Sequence, residues 1–231
     1  MGCLGYGSHI RQARVDAYRE YDSIITASDP GAGTVITTGS KAEGLTCLFE
    51  SDLDEMVVLD GVLCLENGVG ADTFPRETTV FTFNTGLCYH GHSRLNLLER
   101  RGSIMSPMSR DALCHDTNGH LLNSDLFVNM FDFIYVSGEV RHGRAGPTKH
   151  SSFGQLHIGI VVSLRCHCPG ILLKWAERSR HLPLPDIVHK VVIMGAFFTP
   201  VDVKGSEYQH LEWRICFNTA ENELMSSLND I

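Results

Sequence analysis

The sequence predicts an α+β fold, and three observations carry the prediction. Apolar residues recur at helical spacing from His9 to Thr26 and again near the C-terminus. Between them lie short strand-type runs around Val57, Phe81, Ile160 and Phe197, interleaved with further helical stretches. The 231 residues suffice for one large domain, able to bury about 70% of the unfolded surface.

Taken in order, the first helix covers His9 to Thr26, with Ile10, Ala13, Ala17, Tyr18, Tyr21, Ile24 and Ile25 as its apolar positions. Asp29-Pro-Gly-Ala-Gly33 ends it, so residues 1–33 read as an N-terminal helix and linker and 34–231 as the core domain. Met56, Val57, Val58 and Leu59 predict a strand over Leu53 to Leu59, with Val62 to Glu66 as the second strand of a hairpin. Phe81 to Asn84 suggests another strand, and Ser124 a cap for a helix over Asp125 to Tyr135. Residues His142 to Ser152 read as a polar loop. In the strand that follows, Leu156, Ile158, Ile160, Val162 and Leu164 form one face, and His157 and Gly159 share the other. Helices are expected over Ile171 to Arg178 and Asp186 to Met194, strands over Ala196 to Val201 and Leu211 to Phe217, and a last helix from Thr219.

The chemistry concentrates at Gly39-Ser40 and, after eleven intervening residues, Asp52-Leu-Asp54. On a strand, Asp52 and Asp54 fall on one face, roughly 6.5–7 Å apart. Carboxylates so placed can hold a hard divalent cation against phosphates, and a Gly-Ser turn offers N–H groups and a hydroxyl to a phosphate. That is the logic of phosphoryl or nucleotidyl transfer with two metals. The same residues also read as a strand whose polar face meets water.

Hydrophobic content of 43%, charged content of 20% and the absence of a long apolar run fit a soluble globular chain with no membrane span. Eight scattered cysteines without a secretory signal favour reduced thiols and a cytoplasmic location. Cys166-His167-Cys168 and Cys88-Tyr-His-Gly-His92 could bind zinc, but no partner pair lies at finger spacing, which favours structural thiols. A net charge of −8 does not suit a nucleic-acid binder, although Arg11, Arg14 and Arg19, Arg94, Arg100 and Arg101, Arg141, Arg144 and Lys149, and Arg178 and Arg180 form local basic clusters.

The stretch from Thr37 through Gly39-Ser-Lys-Ala-Glu-Gly-Leu to Asp52-Leu-Asp54 resembles the opening of the Mab (male-abnormal) nucleotidyltransferase family, which includes cyclic GMP-AMP synthase and its receptor-like relatives. Leu211-Glu-Trp-Arg-Ile-Cys-Phe-Asn-Thr-Ala-Glu221 looks like a second block of that family, and the similarity runs from about Thr34 to the end. The resemblance implies a nucleotidyltransferase-fold core with a small twisted mixed sheet flanked by helices. It implies synthesis of a cyclic dinucleotide from ATP and GTP with Mg²⁺ or Mn²⁺, in innate immune sensing of double-stranded RNA or DNA. By position, Gly39 and Ser40 would bind phosphate, Asp52 and Asp54 the metal, and Arg214 and Glu221 the nucleotide. Departures qualify this. Gly159 stands where the family has a third metal-binding acid, Cys216 and Asn218 replace two serines, and the family's helical lobe would begin where the chain ends at Ile231. Two-metal catalysis needs enough anionic ligands to hold both ions. The expectation is therefore a weak catalyst, or an inactive binding or regulatory protein that keeps the fold. His157 would offer only an imidazole, better suited to Zn²⁺ than Mg²⁺.

Overall fold

The computed structural model describes residues 7–31, 33–99, 111–116, 119–131 and 138–227. Among them twelve strands form one mixed sheet: β1 (Thr34–Thr38), β2 (Leu53–Glu66), β3 (Thr79–Phe83), β4 (His92–Ser93), β5 (Leu95–Glu99), β6 (Leu113–Asp116), β7 (Gly119–Leu122), β8 (Val140–Arg141), β9 (Lys149–Phe153), β10 (Leu156–His167), β11 (Ala196–Thr199) and β12 (Trp213–Cys216). The helices are α1 (Ser8–Ser28), α2 (Gly39–Ala42), α3 (Ser124–Asn129), α4 (Pro169–Ala176), α5 (Pro185–Met194) and α6 (Asn218–Ser227). No described helix is long and apolar enough to cross a membrane.

The sheet path runs β4-β12-β11-β10-β2-β3-β5-β7-β6, with β1 beside the first half of β2 and β9 beside the first half of β10. The long strands β2 and β10 are parallel, and both ends of β2 pair with β10 in the same direction. This corrects the expected hairpin. Leu59-Asp60-Gly61 form a bulge, with Gly61 at φ +70°, and Val62 to Glu66 continue the strand instead of returning. The antiparallel partner of β2 is β1.

Alternation sorts the sheet into two faces. One carries the main core: Val162, Leu164, Phe198, Trp213 and Ile215, packed with Phe83, Leu95, Phe127 and Phe131. Trp213, 0% exposed, meets Phe127 edge-on at 4.9 Å and donates Nε1–H to the Leu122 carbonyl at 2.9 Å. A buried indole is usually so anchored at its polar end. The other face, over the first half of β2, carries a smaller apolar cluster of Met56, Val58 and Phe197 against Ile36 and Val161.

Helix α1 docks differently from its apolar pattern. Val15 is its one buried side chain among the described residues, while Ile24 is 60% exposed. Polar bonds attach it: Tyr21 donates to Glu55 at 2.7 Å, Thr37 donates its N–H and hydroxyl to Asp22, and Arg11 donates to the Glu43 carbonyl at 2.6 Å. Periodicity alone could not reveal this, because the partners come from distant strands. The polar stretch expected as a loop at His142 to Ser152 becomes a strand over its last part, where Lys149 to Ser152 belong to β9 and pair with β10. The helix expected to Tyr135 is capped by the Asn123 side chain, which accepts from the Leu126 N–H, and not by Ser124. Residues 132–137 of that expected helix, Phe133 and Ile134 included, lie outside the described residues.

Candidate functional site

The site begins where β1 runs out. Gly39 adopts φ +67°, a left-handed turn that only glycine takes without strain, and starts the short helix α2. No side chain caps that helix, so its first-turn N–H groups have no side-chain cap as partner. The Ser40 hydroxyl joins a ring of three, 3.1 Å from Thr46 and 3.1 Å from Ser51, which are 2.8 Å apart. Each hydroxyl carries one donor and two lone pairs. A closed ring can therefore satisfy all three donors, and a small rotation turns one outward toward an anion. Thr46 and Ser51 were missed from sequence. The spacing of hydroxyls in Ser40, Thr46 and Ser51 is irregular, and only the loop brings them together.

The loop returns to β2 through the acid pair. Asp52 precedes the strand and Asp54 is its second residue, both exposed, with Leu53 buried between them. Asp54 sits opposite Thr38 on β1 and Gly159 on β10, and Gly159 in turn sits opposite His150 on β9. The carboxylate bridges this row. A Cβ on Gly39 would lie 3.3 Å from Asp54 Oδ2, and one on Gly159 would lie 2.8 Å from Asp54 Oδ1. Asp54 thus occupies the space a side chain at position 159 would need. Partial desolvation of the carboxylate first, then the neighbouring Asp52 charge, push the Asp54 carboxyl above the usual aspartate value, while His150 and Lys41 pull it back.

His150 is the third residue missed. The sequence pointed to His157, which lies instead opposite Ser152, its ring 6.1 Å from that of His142. His150 reaches the same space above Gly159, its Cε1 3.6 Å from where a Cβ would be. It was hidden because the segment read as loop, whereas it forms the strand next to β10.

Arg214 and Glu221 are not brought to the acid pair. Arg214 is exposed on β12, opposite Thr199 and His92, and Glu221 is exposed in the first turn of α6. Register and alternation put Arg214 on the same face as Asp54 but three strands over, and about 16 Å from Gly159 by strand rise and spacing. The Met56, Val58 and Phe197 cluster stands between them. Cys216 and Thr199, 3.1 Å apart, occupy the β11–β12 part of that face.

The resemblance implies metal, and the donors fit it only partly. Among the described residues no group of three His, Cys, Asp or Glu could hold an ion. Mg²⁺ is commonly held by one or two carboxylates plus substrate phosphates, so Asp52 and Asp54 suit one ion shared with a triphosphate. They do not suit two, because glycine at 159 removes the next carboxylate. The zinc alternative finds no support either: Cys166 and Cys168 are buried in the core, and burial raises the Cys166 thiol. The seven described cysteines are free thiols.

Three residues of the basic clusters engage nearby groups. Arg14 donates to the Leu45 carbonyl at 3.3 Å, Arg144 pairs with Asp125 at 3.0 Å, and Arg180 lies 4.2 Å over the Trp175 ring. In comparisons with known proteins, no family model matches the chain and no curated protein does.

Proposed function

We propose that the chain is a nucleotidyltransferase-fold protein of the cyclic GMP-AMP synthase-like group that receives a nucleoside triphosphate, ATP or GTP, at Gly39, Ser40, Asp52 and Asp54. One observation carries the reading: the Asp54 carboxylate lies against the Gly39 turn, beside a ring of three hydroxyls. The first-turn N–H groups of α2 and the Ser40, Thr46 and Ser51 hydroxyls bind and orient phosphate oxygens. Asp52 and Asp54 hold Mg²⁺ or Mn²⁺ jointly with the phosphates, and a bound ion supplies neutralisation of phosphate charge. Arg214 and Glu221 are the proposed distal nucleotide contacts. The activity so implied is cyclic dinucleotide synthesis in the cytoplasm, with double-stranded RNA or DNA as activator.

A second reading, a catalytically inactive binding or regulatory protein, is favoured by Gly159, which leaves a second ion without a carboxylate. The two readings part in one assay. The chain is incubated with ATP, GTP and Mg²⁺ or Mn²⁺, with and without double-stranded RNA, and cyclic product is sought by mass spectrometry. Slow synthesis abolished by Asp54→Ala supports the enzyme. Triphosphate binding without product supports the inactive form. Product that survives Asp54→Ala removes the proposed site.

A further inference from the structure

Lys41 is buried to 0% exposure, and nothing in the functional reading above uses it. Its ammonium donates to the carbonyls of Cys47 at 2.6 Å and Leu48 at 3.0 Å and lies 5.8 Å from the Tyr18 ring centre. Among the described residues it forms no ion pair. A buried charge without an ion pair is costly, and an apolar side chain could fill the same volume at less expense. Burial accordingly lowers the Lys41 pKa, against an opposite pull from Cys47, Glu50, Asp52 and Asp54.

The loop that Lys41 binds has little apolar packing to order it. Leu45, Leu48 and Phe49 are exposed, Phe49 to 70%, so apolar burial contributes little there. Glu50 accepts the Cys47 N–H at 2.7 Å on the outside, and Arg14 reaches the Leu45 carbonyl. The same loop delivers Thr46 and Ser51 to the hydroxyl ring and leads directly into Asp52.

We propose that Lys41 is a positioning residue for phosphate binding: from inside the fold it pins residues 45–51, and through them sets Thr46, Ser51 and Asp52. This rests on the reading of the site as a triphosphate receptor. Without the ammonium, two carbonyls lose their donor and turn to water, and the hydroxyl ring opens.

The test uses the full chain and Lys41→Met, with three readouts: thermal unfolding, chymotrypsin cleavage after Phe49, and ATP affinity by calorimetry with Mg²⁺. Lys41→Met is expected to stay folded, because removing a buried charge offsets the lost bonds. Cleavage after Phe49 should speed up about tenfold and the ATP Kd should rise about tenfold, in line with losing one or two hydrogen bonds to a charged donor. Should Lys41→Met fail to fold, Glu50→Ala loosens the same loop from an exposed position and should shift both readouts in the same direction by a smaller factor. A folded variant that binds ATP as tightly as wild type overturns the inference alone. A wild-type chain that binds no ATP overturns the functional reading, and the inference with it.

Discussion

On one flank of Asp54, residues 39–52 hold one another through a left-handed glycine, three mutually bonded hydroxyls and a buried lysine. On the other flank, the β9–β10 hairpin meets the same carboxylate with a bare glycine and an imidazole. On the proposed reading, the first flank would receive the phosphates, while the second supplies no further carboxylate to a metal. That reading makes phosphate capture and phosphate activation separable, since they would depend on residues of different strands.

The contrast should appear first in backbone tolerance. Gly44 has φ +69°, and a Cβ there would collide with the Arg11 carbonyl oxygen of α1. Gly44→Ala should cost about 3 kcal/mol or more in urea unfolding, because both the dihedral and the packing are violated. Gly154 in the β9–β10 turn has φ +60° with nothing within 4 Å, so Gly154→Ala should cost only about 1 kcal/mol. Equal losses at the two sites would erase the difference between the flanks.

Ser40→Ala opens the hydroxyl ring and should weaken ATP binding about tenfold, or 1.4 kcal/mol, by equilibrium dialysis. His150→Ala, on the other flank, should change it less than about threefold. Gly159→Asp sharpens the comparison from the opposite side. Its Cβ would stand 2.8 Å from Asp54 Oδ1, so the Asp54 side chain must turn aside. The variant should raise the dependence of ATP binding on Mg²⁺ by a few-fold while losing about 1 kcal/mol of stability to like-charge repulsion. A Gly159→Asp variant with unchanged Mg²⁺ dependence would show that the missing acid is irrelevant.

The smallest effect concerns Glu55, on the α1 face of β2. Burial first, then the nearby Asp22 and Glu139 charges, raise its carboxyl above the usual glutamate value of 4.5, against the lowering Tyr21 bond. A raised carboxyl pKa means that the folded state holds the proton longer than the unfolded state. The stability it contributes is full below pH about 4.5 and is lost as pH rises through the raised value. Glu55→Gln can keep the Tyr21 bond and should flatten the fall in thermal stability above pH 4.5, by less than about 1 kcal/mol at pH 7.

The sequence disclosed the elements better than their partners. The α1, α4, α5 and α6 helices and the β3, β10, β11 and β12 strands fall within a few residues of their expected spans, because each carries its own periodicity or proline signal. The Gly39-Ser40 turn and the Asp52/Asp54 pair were legible for the same reason: their chemistry is local. What could not be read depends on contacts across the chain. The hydroxyl ring needs a loop closed by Lys41, whose burial no local pattern reveals. His150 needs β9 to pair with β10, and its polar neighbours hid the strand. The separation of Arg214 from Asp54 follows from sheet order, which single-sequence periodicity does not specify.

The most direct measurement is amide hydrogen exchange with and without ATP and Mg²⁺, read peptide by peptide by mass spectrometry. Slowed exchange across residues 39–52 at saturating ATP is the predicted result, since those N–H groups and the loop that carries them would close on the phosphates. Exchange in 39–52 that stays the same, with or without protection elsewhere, would contradict the assignment of this turn and acid pair as a triphosphate receptor.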